Sequence, residues 1–428
     1  MTFEKETVLK TLFPEDVLSI AKGLTDGEVE FLQQVDSLLE SKYRENINQH
    51  WIDATVPEDY FKDLGELNYF NNPLLYKDRP NAKMPSQLFQ FFMSYLLARF
   101  DISLATLLGV HQGLGHNTFY FGGSKEQIAK YVPKLQSHEL RTCFALTEPE
   151  HGSDVAGGLE TVAERQGDTW VINGEKKWIG GAHVSDVIPV FAVNKETGKP
   201  HCFVVRPEQD GVDIEVIDNK IALRIVPNAL IKLTNVKVDE ADRLQNITSF
   251  KDIAKILYST RAGVAYMATG GMAGALRATL DYVTERKQFG KPISKYQLIQ
   301  EKLAMMQGNL AQAMATCAQL ANMQAHGEYD EVATSTAKMM NALRLRETVA
   351  MGRGITGGNG ILADDYDIAR FFSDAEAIYT YEGTHEINAL VIGRALTGDS
   401  AFVKIAKNYM RCSNITKKRL ILSIKLFP

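Results

Sequence analysis

Along residues 1 to about 140, apolar positions recur at helical spacing. Leu18, Ile20, Ala21 and Leu24 form one set, Phe31, Leu32, Val35, Leu38 and Leu39 a second, and Phe89 to Leu108 a long third. The connecting segments Asn71-Asn72-Pro73 and Asp78-Arg79-Pro80-Asn81 carry turn residues. This predicts an all-helical first unit. From about 143 to 245 the pattern changes to short strand-like runs: Trp170-Val171-Ile172 before Asn173-Gly174, Val187 to Val193, Cys202 to Val205 before Asp210-Gly211, Val212 to Ile217, and Ala229 to Val238. With no helical stretch between them, these strands predict a small antiparallel barrel or sandwich rather than a doubly wound sheet. After about 250 the chain returns to long amphipathic helices, roughly 252–286, 296–327 and 331–352, with a further one after Thr384, which suits a four-helix bundle. The expected class is α+β, divided as an N-terminal α domain 1–142, a middle β domain 143–248, a C-terminal α-bundle 249–403 and a tail 404–428.

Composition narrows this picture without changing it. The 428 residues are 45% hydrophobic and 23% charged, an ordinary soluble balance and enough chain for a large core without disulfides or structural metals. Four dispersed cysteines, Cys143, Cys202, Cys317 and Cys412, form no CxxC pair. The N-terminus lacks the apolar core of a secretory signal, so a reducing, cytoplasmic location is expected. The apolar run Met93 to Val110 is interrupted by Arg99 and Asp101 and reads as a buried helix, not a membrane span. The net charge of −5 is a sum of unlike parts. The tail from 404 holds seven basic residues and no acid, leaving 40 basic against 52 acidic residues in 1–403. An acidic body without a basic stripe is a poor partner for nucleic acid. The tail, with Leu420-Ile421-Leu422 and Ile424 among its charges, reads as a solvated, disordered or non-native extension, or as a segment that docks on a surface or membrane.

Several formal motif matches fail on context. Gly352-Arg353-Gly354-Ile355-Thr356-Gly357 satisfies GxGxxG but follows a helical segment instead of a strand. His385-Glu386 begins HExxH, yet Ala389 stands where the second His is needed, and no other histidine spacing suggests a metal. Three segments remain. Cys143 to Asp154 contains Thr147-Glu148-Pro149 and Gly152-Ser153, whose hydroxyls and freed backbone N–H groups suit an anionic or flavin-like ligand, or equally an acidic loop with capping residues. Glu285 to Pro292 closes a long helix with basic residues, Gly290 and Pro292, as ordinary capping also would. The third is Gly357-Gly358-Asn359-Gly360 with Ile378 to Asn388. There Glu382, among Tyr379, Tyr381 and Gly383, is either a carboxylate with raised proton affinity, fit to be a general base for a weak carbon acid, or a helix N-terminal acid beside a Thr cap.

In this order on an α-β-α chain, the three segments resemble the acyl-CoA dehydrogenase family over about residues 15 to 400. The wording of Thr380 to Asn388 and Thr397-Gly398 is similar to its glutaryl-CoA dehydrogenase branch, and that of Asn219 to Arg224 and Gly360 to Asp364 to plant short-chain acyl-CoA oxidases. The resemblance implies FAD held between the β domain and the C-terminal bundle, with Glu382 removing the α-proton of an acyl-CoA thioester as hydride leaves Cβ for the flavin. It further implies Phe144, Leu146, Thr147, Gly152, Ser153, Trp178, Thr384 and Glu386 around FAD. Arg286, Phe289, Gln297, Gly354 and Gly358 would reach the FAD of a neighbouring subunit in a homotetramer. Ser153, Arg261, Tyr381, Gly383 and Arg394 would surround the thioester and CoA. Gly180 occupies a place where many members have a flavin-contacting Thr or Ser. Ala105 stands where glutaryl-specific members carry an Arg, so a dicarboxylic acyl chain would bury an unpaired charge. A monocarboxylic acyl chain is expected. Electrons are expected to pass to electron-transfer flavoprotein, or alternatively to O2, although the chain ends Leu426-Phe427-Pro428 and not in a peroxisomal Ser-Lys-Leu. A catalytically silent acyl-CoA or FAD binder is the remaining alternative.

Overall fold

The computed structural model describes residues 4–399; the basic tail 404–428, with Cys412, lies outside them. The first part is helical as the spacing predicts. It comprises α1 (Lys5–Leu12), α2 (Asp26–Leu38), α3 (Ile47–Asp53), α4 (Tyr60–Glu66), α5 (Gln87–Phe100), α6 (Ile102–Gly109), α7 (His116–Gly122) and α8 (Lys125–Gln136). Local chemistry sets several starts: Thr25 with Glu28 and Ser124 with Gln127 form reciprocal capping boxes on α2 and α8. The apolar run expected as one helix is divided at Asp101, which turns extended and accepts the Leu104 N–H at 2.6 Å, capping α6. Asp101 also pairs with Arg370, and Arg99 with Glu15 and Asp36, so the charges in the run are buried with partners. One π-helical turn, Val110–Gly115, separates α6 from α7.

The middle part is a six-stranded sheet of β1 (Val162–Gln166), β2 (Thr169–Gly180), β3 (Ile188–Asn194), β4 (Pro200–Val205), β5 (Val212–Val216) and β6 (Asn228–Asp239) in the order β4-β3-β1-β2-β6-β5. A short helix, α9 (Val155–Gly158), precedes β1. Most pairings are antiparallel, but β1 and β3 run parallel, so the sheet is mixed where an antiparallel one was expected. After the β1–β2 hairpin the chain crosses through 181–187 and re-enters on the far edge of β1. β1 itself, with only Val162 and Ala163 apolar, gave no periodic signal. Register shifts near Ile172/Gly174 and Lys176/Ile179 bend β2 just before Trp178 and Gly180.

The C-terminal part contains α10 (Phe250–Glu285), α11 (Gln297–Ala325), α12 (Glu331–Thr356), α13 (Asp367–Thr380) and α14 (His385–Thr397). The bundle thus has one helix more than the four expected, α13 being the addition. Close helix approach requires glycine at two places on α10. A Cβ on Gly270 would lie 2.2 Å from the Tyr95 carbonyl oxygen, and one on Gly274 would lie 2.3 Å from the Phe371 ring. The segment expected to cap α10 forms instead a two-stranded hairpin, β7 (Lys287–Gln288) with β8 (Lys291–Pro292), because Phe289 and Gly290 both adopt positive φ. The GxGxxG match falls at the C-terminal end of α12. The three parts meet at Asp374 on α13, which accepts hydrogen bonds from Trp51 Nε1 (2.9 Å), Ser103 Oγ (2.6 Å) and the Leu223 N–H (2.6 Å). That clasp sets the position of α13, and with it the turn that follows.

Candidate active site

Between the end of α13 and the start of α14, Tyr381 to Thr384 must reverse the chain in four residues. The turn does so with φ of +56° at Glu382 and +82° at Gly383, and Thr384 then caps α14 by accepting the Ile387 N–H. Left-handed φ is free for Gly383 but costs a glutamate roughly 1–2 kcal/mol, so the surroundings must hold it. Two side chains do so. Lys338 Nζ, from α12, donates to the carbonyls of Tyr379 (3.2 Å) and Gly383 (2.7 Å), and Asn388 Nδ2 donates to the Gly383 carbonyl (2.8 Å).

The carboxylate of Glu382 accepts a hydrogen bond from Thr260 Oγ1 at 3.3 Å. Burial pushes its pKa up to about 7, while Arg261, the Thr260 hydroxyl and Lys338 pull more weakly the other way. Arg261 is itself anchored, donating to Ser335 Oγ at 2.9 Å with Glu331 3.6 Å away. Tyr381 shares a hydrogen bond with Thr106 of α6 (3.1 Å), which fixes the other side of the turn to the N-terminal part.

The opposite wall comes from the sheet. Segment 142–147 runs beside β3, with Ala145 exchanging backbone hydrogen bonds with Pro189 and Phe191, and the Thr147 carbonyl accepts the Lys177 N–H at 2.9 Å. Glu148 then turns inward. It accepts from Lys176 Nζ (2.7 Å) and from the N–H groups of Glu160 (2.6 Å) and Thr161 (3.0 Å), pinning the loop that exposes Gly152 and Ser153. Trp178, at φ +64°, is 54% exposed, an unusual state for an indole in a strand. The walls are joined through the π-helical turn. A Cβ on Gly180 would meet Val110 at 3.5 Å, and one on Gly113 would meet Thr260 at 3.4 Å. A carboxyl of near-neutral pKa therefore stands on one side of the π-helical turn, and an exposed aromatic plane, hydroxyls and open backbone stand on the other.

Family models match each of the three parts of this architecture: acyl-CoA dehydrogenase N-terminal domain over residues 25–139, middle domain over 143–236 and C-terminal domain over 250–397. The chain belongs to the acyl-CoA dehydrogenase family. It is 37% identical to the 3-(aryl)acrylate reductase of Clostridium sporogenes over 347 residues, 80% of this chain and 91% of that protein. It is 31% identical to the caffeyl-CoA reductase-Etf complex subunit CarC of Acetobacterium woodii over 313 residues, 71% of this chain and 82% of that protein. The structure of a glutaryl-CoA dehydrogenase from Mycobacterium smegmatis in complex with FADH2 superposes with a TM-score of 0.82 at 28% identity, covering 91% of this chain and 98% of that one.

Within this acyl-CoA dehydrogenase fold the expected site residues separate into two places. Glu382, Tyr381, Gly383, Thr384 and Arg261 share the turn and its floor, with Glu386 exposed on the first turn of α14 and Arg394 exposed farther along it. Phe144, Leu146 and Thr147 lie on the segment beside β3, Leu146 fully inside, with Gly152, Ser153 and Trp178 on the sheet wall. Arg286, Phe289, Gln297, Gly354 and Gly358 lie near neither. They are exposed at the opposite end of the bundle, since Thr260 to Arg286 spans about 39 Å of helix at 1.5 Å per residue. Asn359 Nδ2 reaches Tyr282 Oη at 3.1 Å, which brings the Gly354–Gly358 segment to the hairpin end of α10. Three contributors were given no role from the sequence: Thr260, Lys338 and Asn388, the last at the end of the segment Ile378 to Asn388. Thr260 carries no motif, whereas Lys338, alone among Ala337, Met339 and Met340 on a helix, is a readable signal.

Proposed function

We propose that the chain catalyses FAD-dependent α,β-dehydrogenation of a monocarboxylic acyl-CoA thioester to the trans-2-enoyl-CoA, with Glu382 as the base. The observation that carries this reading is the half-buried Glu382, with its pKa near neutrality, on a turn held in left-handed geometry; the space between it and the sheet wall is read as the substrate cleft. An α-proton beside a thioester is only weakly acidic, so the base must be charged, poorly hydrated and already oriented. Glu382 takes that proton onto its carboxylate, and the bonding pair from the Cα–H bond forms the new double bond as hydride departs from Cβ. FAD, when bound, supplies the acceptor of that hydride. The residues fit such a group: Thr147, Ser153 and the exposed face of Trp178 stand open on one wall, and His385 Nδ1 is buried without a partner beside Thr384 on the other. Arg261 and Arg394 are the cations on the Glu382 side for the CoA moiety, with Tyr381 and Ser153 bordering the thioester.

Substrate choice rests on charge. Ala105 is buried, and the buried guanidiniums of Arg99 and Arg370 already face carboxylates, so a second substrate carboxylate finds no free partner there. Two relatives named as reductases support the same residues working in reverse, Glu382 then returning the proton to Cα. The Acetobacterium relative, a subunit of a reductase-Etf complex, supports electron-transfer flavoprotein over O2 as the redox partner. Self-association into a homotetramer is supported by large apolar side chains left in solvent, Phe289 at 93%, Leu298 at 79% and Ile361 at 68% exposed, near the residues expected to serve a neighbouring copy.

Glu382→Gln tests the reading. The variant is expected to keep bound flavin and to lose anaerobic flavin bleaching by acyl-CoA by roughly 10²- to 10⁴-fold, the range for a removed general base. Unchanged bleaching in that variant overturns the assignment.

A further inference from the structure

Lys338 is fully buried in the N-terminal third of α12, and its ammonium donates to two carbonyls instead of to a carboxylate. A lysine in that position is costly unless its contacts are needed, and burial pulls its pKa down to about 8, which still leaves it protonated at neutral pH. The identity of the two acceptors gives the reason. The Tyr379 carbonyl belongs to the last turn of α13, where carbonyls lack helical partners and a cation is favoured. The Gly383 carbonyl lies on the other side of Glu382, where Asn388 also donates to it. Lys338 therefore bridges the two ends of the turn, with the strained residue between them.

Resting on the reading of Glu382 as base, we propose that Lys338 is a positioning residue for the reaction: by bridging the Tyr379 and Gly383 carbonyls it holds the left-handed turn that aims the Glu382 carboxylate at Thr260 and the cleft, and it places a cation behind that carboxylate. The charged and titratable groups around the pair are few. Glu382 faces Arg261 of α10 and Lys338 of α12, with the Tyr381 hydroxyl on its own turn. Lys338 faces Glu382, Arg261 and Glu386 of α14. Arg261 keeps Ser335 and Glu331 as partners when Lys338 is replaced. Neutralising Lys338 thus removes one of two cations next to the base and frees the turn.

The experiment is the rate of anaerobic flavin reduction by acyl-CoA as a function of pH in the flavin-loaded protein. Lys338→Met is expected to slow reduction about 100-fold, the scale of a misplaced catalytic group. Lys338→Gln, which keeps a donor without the charge, folds more safely and is expected to slow it about tenfold. In both, the midpoint of the acidic limb rises by less than about one pH unit, because a carboxylate that loses a nearby cation holds its proton more tightly. Asn388→Ala, which removes a hydrogen bond to the same carbonyl and no charge, slows reduction and leaves the midpoint in place. Parental rate and midpoint in Lys338→Gln overturn the proposal, and so does a slower Lys338→Gln with an unmoved midpoint. The two readings fail separately: an active Glu382→Gln removes the base, whereas an inactive Glu382→Gln with an unmoved Lys338→Gln removes only the clamp.

Discussion

The sheet and the helical bundle each bury a lysine close to a glutamate, and the two couples behave in opposite ways. In the sheet, Lys176 Nζ sits 2.7 Å from the Glu148 carboxylate, which also accepts two backbone N–H groups. Burial pushes the Glu148 pKa up, but the Lys176 charge and those hydrogen bonds outweigh it and hold the carboxyl below its usual value. In the bundle, Lys338 is bonded to carbonyls, and Glu382 has a single 3.3 Å hydrogen bond from Thr260 to set against burial, so its pKa rises to about 7. The same two residue types thus make a locked clasp in one place and a group able to exchange a proton in the other. What separates them is where the ammonium points. A carboxylate with several charge-assisted bonds is stable and inert, while one with few stays reactive.

The comparison can be broken most forcefully at the clasp. Lys176→Met leaves Glu148 buried without its counter-charge and is expected to destabilise the fold by about 3–5 kcal/mol, whereas the double replacement Lys176→Met/Glu148→Leu recovers much of that loss. Chemical denaturation of the three proteins measures it, and a single variant as stable as the parent would show that the pair is not what holds the Thr147–Ser153 loop. A second contrast lies in pH. Glu382 must be ionised to accept a proton, and its raised pKa means that the carboxylate is lost as pH falls through about 7. Flavin reduction should therefore fall about tenfold per pH unit below roughly pH 6. A flat profile between about pH 5 and 8 would remove the contrast with Glu148. The smallest expected effect is at Thr260. Thr260→Val deletes the hydroxyl that favours the charged form, so the midpoint should move upward by less than about one unit, with flavin binding unaffected.

Much of the fold was legible in local pattern. Helical spacing located α2, α5, α10, α11 and α12, and the runs before Asn173-Gly174 and Asp210-Gly211 located strands of the sheet, although Asn173-Gly174, expected as a turn, is an irregularity inside β2, which continues to Gly180. Local chemistry also singled out the Thr147 loop and the Glu382 turn. Elements whose identity depends on neighbours were not legible. β1 is mostly polar and exists because β2 and β3 offer it hydrogen bonds on both edges. The segment after α10 reads as a helix cap, and becomes a hairpin only because Phe289 accepts a positive φ. The expectation of a single apolar helix from Met93 failed for a related reason: Asp101 stops α5 in order to cap α6 and meet Arg370, a residue 269 positions away.

The sequence by itself determined which residues could do chemistry here. It supplied a glutamate next to a glycine that tolerates a tight turn, hydroxyl-bearing loops, and apolar periodicities sufficient to build the layers around them. Tertiary structure alone decided that the Glu382 carboxyl is held near neutrality and the Glu148 carboxyl below its usual value. Proton affinity depends on hydration and on charges within a few ångströms, and those distances join Thr260 to Glu382 across 122 residues and Lys338 to Gly383 across 45. Spacing along a chain cannot encode such approaches. They are set when the helices pack, and with them whether a buried lysine faces a carboxylate or the backbone that carries it.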